Sequence, residues 1–174
     1  MTEWATISAA TCVYCNFGFE GSHCWPDAIN LQGVEFLALK HRHTFHVKVT
    51  VSVTHDDRDI EFILLKRYLQ KLVMSWPRDL HNASCEMIGY CIGIATHGFV
   101  NSLTHDQLYY NFPFVRTPWD VDYEKKTPFR SNNEIEVEVS EDGENGAIVL
   151  MKPISYGSID PNTTGPIYAG VQNK

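Results

Sequence analysis

Apolar and polar residues alternate along several stretches of the chain, as expected for strands buried on one face. From Phe45 to Val53 the odd positions are apolar, while the even positions of the segment 44–53 are polar. Residues 12–20 also have the composition of a strand, and EIEVEV at 134–139 alternates again. The turn sequence EDGENG and the apolar run AIVLM follow it. The pattern predicts four strands, of which the last two form a hairpin.

Between the second and third predicted strands, the apolar spacing changes to that of helices. The segment IEFILLKRYLQKLVMSW predicts a helix of roughly four turns, which Pro77 ends. A second helix is predicted from about Ser84, a residue suited to the N-cap, with Glu86 in its first turn. The order β-β-α-α-β-β predicts an α+β fold with two helices on one face of an antiparallel four-stranded sheet.

Two further segments lie outside this predicted core. Residues 105–130 are rich in aromatic residues and prolines, which predicts an ordered insertion because linkers rarely carry so many large apolar groups. Residues 152–174 hold three prolines and three glycines and are predicted to form an irregular C-terminal extension. With 174 residues, 44% of them hydrophobic, the whole chain 1–174 is predicted to be a single domain with a substantial core.

Charge and cysteine usage narrow the classes of partner and the compartment. The net charge of -7 and the lack of a Lys/Arg cluster argue against nucleic acid, whereas a small anionic ligand in a local basic pocket stays compatible. The start, MTEWATISAATCVYC, has no basic region before a long apolar run, so we expect neither a signal peptide nor a membrane partner. Five cysteines, an odd number, predict reduced thiols and a cytoplasmic location.

Three histidines stand at the ends of the first two predicted strands. His41 and His43 extend the apolar face of the second strand backwards, and His23 shares the parity of the apolar residues of the first. Antiparallel pairing of these strands brings the three imidazoles together. For one histidine, an ordinary polar strand end is the commoner explanation, and for H-x-H the two explanations are even. Three together favour a catalytic Zn²⁺, which takes three protein ligands and keeps a fourth position open.

Four motifs, taken in order along the chain, carry a resemblance to a known family. FGFEGSH followed by KHRHTFHVKVTV is similar to the F-x-F-x-A-x-H … H-G-H-x-Y-x-V pattern of the 6-pyruvoyl-tetrahydropterin synthase and 6-carboxy-tetrahydropterin synthase family. RDIEFILLK resembles V-x-D-F-x-x-L-K, and NASCEMIGYCI resembles N-P-T-x-E-x-x-A-x-x-I, at the starts of the family's two helices. VEVSEDGENGAIV resembles the final hairpin, V-x-V-x-E-T-x-x-x-x-A-x-Y. The ordered set, within 15–96 and 134–150, is more specific than any single motif.

The resemblance implies a fold, an activity and a set of site residues. It implies a zinc-dependent lyase that acts on 7,8-dihydroneopterin triphosphate or a related pterin- or purine-type small molecule, with Zn²⁺ on His23, His41 and His43. Glu141 stands at the family's pterin-binding glutamate, which accepts hydrogen bonds from the ring's amino group and N–H; the alternative is a solvated turn residue. The implied architecture is the tunnelling fold, in which sheets join edge to edge into a homo-oligomer, a trimer or a stacked hexamer.

The sequence departs from the family in the groups that move protons. The family's cysteine before H-x-H is absent from GVEFLAL. Its Asp-His pair between the helices has only Asp79 and His81, wrongly spaced, as counterparts in MSWPRDLHNAS. LTHDQLYY sets His105 beside Asp106, but after the second helix.

Three replacements for the missing base stay open beside His81. Cys24 directly follows a metal ligand, where Zn²⁺ favours the reactive thiolate. Glu35 lies six residues before His41, and His105 can act with Asp106. Each also has an ordinary explanation, as a buried cysteine, a solvated glutamate or a surface histidine. The alternative function is therefore an altered relative that binds a pterin or nucleotide-like ligand without the family's turnover.

Overall fold

One antiparallel sheet and two helices make up the described part of the chain, which covers residues 10–53, 60–101 and 133–153 of a computed structural model. The strands follow one another in chain order across the sheet. They are β1 (Cys12–His23), β2 (His41–Ser52), β3 (Ile135–Glu141) and β4 (Asn145–Met151). The helices, α1 (Phe62–Ser75) and α2 (Cys85–Asn101), connect β2 to β3.

This architecture confirms the predicted α+β class, the antiparallel four-stranded sheet and the two helices. The predicted insertion at 105–130 lies outside the described residues, and so does the C-terminal extension beyond residue 153. Within the described ranges, neither helix combines the length and the apolar character needed to cross a bilayer.

The first two strands are longer than the alternation predicted, and the added residues carry the histidines. In β2, Val47, Val49 and Val51 are buried while the residues between them are more exposed, as expected for a sheet covered on one face. The pairing of β1 with β2 continues without a break to His23 opposite His41. The connection between these strands contains two short 3₁₀ turns, Pro26–Asn30 and Glu35–Ala38.

Helix α1 begins and ends where its sequence provides the signals. The Glu61 side chain accepts a hydrogen bond from the Ile63 N–H (3.0 Å) and caps the first turn. The helix stops one residue before Trp76, which precedes Pro77, as predicted. Its buried residues recur every fourth position and face the sheet: Leu65, Leu69 and Val73.

Helix α2 packs closely against β4 at its glycines. Ser84 is its N-cap, as predicted, because the Ser84 Oγ accepts a hydrogen bond from the Met87 N–H (3.3 Å). Gly89 faces Val149 so closely that an added Cβ would lie 2.9 Å from the valine Cγ2. The glycine therefore allows the helix backbone to approach β4, and the cap fixes the start of α2 at the histidine end of the sheet.

Candidate metal centre

The three histidines meet at the end of the sheet where β1 ends and β2 begins. The ring centroid of His23 lies 4.8 Å from that of His41 and 5.3 Å from that of His43. The His41 and His43 centroids are 4.9 Å apart. One ring nitrogen from each residue lies within 4.8 Å of the others, so the group can hold a metal ion. The predicted juxtaposition of the three imidazoles is present.

Each imidazole is held through its Nδ1 atom by an oxygen acceptor. The pairs are His23 Nδ1 with the Ala83 carbonyl (2.8 Å), His41 Nδ1 with the Leu39 carbonyl (2.6 Å), and His43 Nδ1 with the Asp142 Oδ2 (2.6 Å). Because these oxygens accept hydrogen bonds, each Nδ1 carries the proton and each neutral ring keeps its lone pair on Nε2. Metal-binding histidines in proteins are typically oriented by such hydrogen bonds from the other ring nitrogen.

Two of the Nε2 atoms have no hydrogen-bond partner although they are buried. These atoms belong to His23 and His43, and His23 as a whole is only 8% exposed. An unsatisfied buried polar atom costs free energy of about 1–3 kcal/mol, which coordination of a cation offsets. Three imidazole donors with protonated Nδ1 atoms suit Zn²⁺ chemically.

Asp142 orients His43 and was not identified from the sequence. Its carboxylate accepts hydrogen bonds from the His43 Nδ1–H and, through Oδ1, from the Thr44 N–H (2.9 Å). The hydrogen bond from His43, followed by that from Thr44, lowers the pKa of Asp142. The residue has a positive φ of 53°, a conformation that aspartate and asparagine adopt more readily than most residues. The only signal in the sequence was the turn dipeptide Asp142-Gly143.

Replacing Asp142 with asparagine is expected to weaken zinc binding by about 10–100-fold, the usual effect of losing a carboxylate that orients a ligand histidine. Asparagine tolerates the positive φ, so Asp142→Asn tests the carboxylate and not the turn. Competition with a chromophoric chelator measures the zinc Kd. The matched control, Glu138→Gln, removes a carboxylate from the exposed opposite face of β3. Equal affinities for Asp142→Asn and the control would contradict the expectation.

A cavity of about 310 Å³ adjoins the histidines. His23 and His41 line it together with Cys24, Cys85 and Glu141. A volume of this size is at the lower end of the range for small-molecule sites in proteins. The site therefore joins a group of metal-binding donors to space for a small ligand.

Glu141 is the last residue of β3, and its carboxylate points at the imidazoles. The residue pairs with Phe45 in the sheet, which sets it beside His43 on the covered face. Its Oε1 lies 3.2 Å from His23 Nε2, and its Oε2 lies 3.6 Å from His43 Nε2. The side chain is only 26% exposed, so Glu141 belongs to the site and is not a solvated turn residue. Its contact with a pterin stays a prediction.

Cys85 is a second site residue that sequence reasoning missed. It is the first residue of α2, and its thiol donates a hydrogen bond to the Glu141 Oε1 (3.6 Å). Burial, followed by the neighbouring Glu141 carboxylate, raises the pKa of Cys85 to about 12, so it is a protonated thiol near neutral pH. The only signal in the sequence was its position directly after the Ser84 cap, which aims the start of α2 at the site.

The predicted candidates for the catalytic base differ in their position relative to the cavity. Cys24 lines the cavity, and its N–H donates a hydrogen bond to the His81 carbonyl (2.8 Å). Glu35 is exposed and accepts a hydrogen bond from the N–H of Gly33, two residues earlier (2.9 Å). His105 and Asp106 lie outside the described residues.

The ring of His81 does not line the cavity. It is 62% exposed, with its Nδ1 3.9 Å from the Asp79 Oδ1. Asp79 itself forms an ion pair with Lys40, and the hydrogen bond from Lys40 lowers the pKa of the Asp79 carboxyl. Of the three candidates that lie within the described residues, Cys24 alone therefore lines the cavity.

No protein-family model matches this sequence, and a search of the curated proteins finds no match either. The convergent geometry of His23, His41 and His43 is therefore the observation that bears most directly on function.

Proposed function

We propose that this chain is a zinc-dependent lyase of the 6-pyruvoyl- and 6-carboxy-tetrahydropterin synthase type. Its substrate is 7,8-dihydroneopterin triphosphate or a related pterin- or purine-type molecule. The observation that carries the proposal is the convergence of three imidazoles, each held at Nδ1 so that its Nε2 is free to bind, beside a cavity of about 310 Å³. The four ordered motifs described above supply the reaction type.

Each residue at the cavity has a role in this proposal. His23, His41 and His43 hold Zn²⁺, which when bound supplies Lewis acidity toward the side-chain hydroxyls of the substrate. The Glu141 carboxylate accepts hydrogen bonds from the amino group and ring N–H of the heterocycle, a planar two-point contact. The Cys24 thiol is the cavity-lining group that we assign to proton transfer at the carbons beside the ring.

We further propose that the sheets of several copies join edge to edge in the tunnelling fold, as a trimer or a stacked hexamer. β1 and β4 are the outer strands of the four-stranded sheet, and edge strands readily pair with another chain. Exposed apolar side chains on β4, Ile148 (61%) and Leu150 (59%), support an association on this side. All five cysteines are free thiols, which supports the proposed cytoplasmic setting.

A second candidate function is a binding protein that holds a pterin or nucleotide-like ligand without turnover. The observation that favours it is the position of Glu35 and His81, both exposed and both outside the cavity lining. Only Cys24 is then left among the described candidates for proton transfer. A site that has a metal ion and the Glu141 carboxylate to hold the heterocycle, but only a weak base, binds its substrate and turns it over slowly.

The test uses the full chain, purified after growth with zinc and incubated with 7,8-dihydroneopterin triphosphate. We expect about one zinc per chain by elemental analysis, and release of inorganic triphosphate that depends on the metal. Bound zinc and bound substrate without triphosphate release would favour the binding protein. A chain that takes up no zinc from buffered solution would overturn both functions.

A further inference from the structure

The contact between the Glu141 carboxylate and the buried Nε2 atoms of His23 and His43 contains no positive charge. The Ala83 carbonyl accepts from His23 Nδ1, so the neutral ring presents a lone pair at Nε2, and the negatively charged Glu141 Oε1 lies only 3.2 Å from that lone pair. The same arrangement recurs at His43, whose Nε2 is 3.6 Å from Oε2. Two electron-rich atoms held this close in a buried place require a positive charge between them.

A proton on Nε2 does not supply that charge in a satisfactory geometry. His23 Nε2 and Glu141 Oε1 are within hydrogen-bond distance, yet the ring nitrogen makes no hydrogen bond because the N–H direction does not meet the oxygen. His43 Nε2 also makes no hydrogen bond. The imidazole nitrogens and the carboxylate oxygens thus lie beside one another without a hydrogen bond in line between them. Atoms that coordinate the same metal ion are arranged in this way.

The separations agree with two ligands on one metal ion. Nitrogen and oxygen ligands lie about 2.0–2.2 Å from Zn²⁺, so neighbouring donors of a tetrahedral site are about 3.4 Å apart. The distances from Glu141 to His23 and His43, 3.2 Å and 3.6 Å, bracket this value.

From these contacts we propose that Glu141 is the fourth protein ligand of the metal in the ligand-free protein. The inference rests on the proposed function for the presence of the metal, and it adds a second role to the residue assigned above to the heterocycle. The thiol of Cys85, which donates to the Glu141 Oε1, holds the carboxylate in this position. A small molecule that binds the metal must therefore displace Glu141 first, which frees its oxygens for the N–H groups of the incoming ring.

The test compares Glu141→Gln with the wild-type chain by two measurements that need no turnover. The variant keeps the size of the side chain and removes the charge, so the fold is retained and far-UV circular dichroism checks it. Competition with a chromophoric chelator gives the zinc Kd, and the visible spectrum of the Co²⁺-substituted protein reports the coordination of the metal. The matched control is Glu86→Gln, which removes an exposed carboxylate from the lining of the same cavity.

We expect E141Q to bind zinc at least about tenfold more weakly and to change the intensity and position of the Co²⁺ bands, while E86Q leaves both near wild type. An E141Q protein with the wild-type Kd and Co²⁺ spectrum would overturn the ligand assignment and leave the proposed function standing. A wild-type chain that binds neither Zn²⁺ nor Co²⁺ would instead overturn the proposed function, and the ligand assignment with it.

Discussion

Replacing both His41 and His43 with alanine is expected to abolish zinc binding, reducing the metal content from about one ion per chain to the background level. The two residues supply two of the three imidazoles that converge at the site, and His23 with Glu141 provides only two of the ligands proposed above. Elemental analysis after dialysis against zinc-buffered solution measures the content. His46→Ala is the matched control, because His46 lies on β2 but on its exposed face.

Thermal unfolding gives a second, independent measurement of the same loss. A ligand that binds only the folded state stabilises it by about 2.7 kcal/mol at a concentration one hundred times its Kd. Added zinc should therefore raise the Tm of the wild-type chain and of His46→Ala, but not that of the double variant. If the double variant retains stoichiometric zinc, the histidine site is not where the metal binds.

Replacing Phe45 with alanine is expected to lower the free energy of unfolding by about 3–5 kcal/mol, the usual range for a fully buried phenylalanine. Phe45 is 0% exposed, and its ring packs against the rings of His23 and His43. Its centroid is 5.2 Å from that of Phe19 in a stacked pair, and 5.5 Å from that of His23. The lost ring leaves a cavity directly beneath the imidazoles, so we also expect weaker zinc binding in Phe45→Ala.

Urea unfolding of the metal-free protein measures this effect without a contribution from zinc. The control, Met74→Ala, shortens a side chain that is 81% exposed on α1 and should change the free energy of unfolding by less than about 0.5 kcal/mol. Phe45→Leu removes less buried volume and provides a milder variant, with a smaller loss, for the case in which Phe45→Ala does not fold. A loss below about 1 kcal/mol in Phe45→Ala would contradict the packing described here.

The sheet and the helices were predictable because each depends on local sequence. Alternation identified β2 and β3, and the Ser84 cap and Pro77 limited the two helices. The range predicted for β1, residues 12–20, was shorter than the strand, although the parity of His23 had already placed that histidine at the strand end. The structure continues the strand there, since Gly21 leaves room for Leu80, whose Cδ1 would lie 2.7 Å from an added Cβ.

Within the candidate site, the histidines were predictable and their partners were not. The parity of His23, His41 and His43 follows from strand periodicity alone. Asp142 contacts His43, which lies 99 positions away along the chain, and Cys85 contacts Glu141, which lies 56 positions away. No local sequence pattern encodes contacts over such distances. Glu35 was proposed as a base from its distance along the chain to His41, but its 3₁₀ turn directs the carboxylate to a neighbouring backbone N–H.

His23 and His41 lie directly opposite each other in the sheet, so metal binding depends on the alignment of β1 with β2. A slip of one residue between β1 and β2 would turn one of the two imidazoles to the other face of the sheet. A bound ion then stabilises the native alignment relative to a pairing shifted by one residue, in which His23 lies on the opposite face from His41 and His43. Zinc present while the chain folds would therefore favour the native pairing of β1 with β2 over a pairing shifted by one residue, before α1 and α2 cover the sheet.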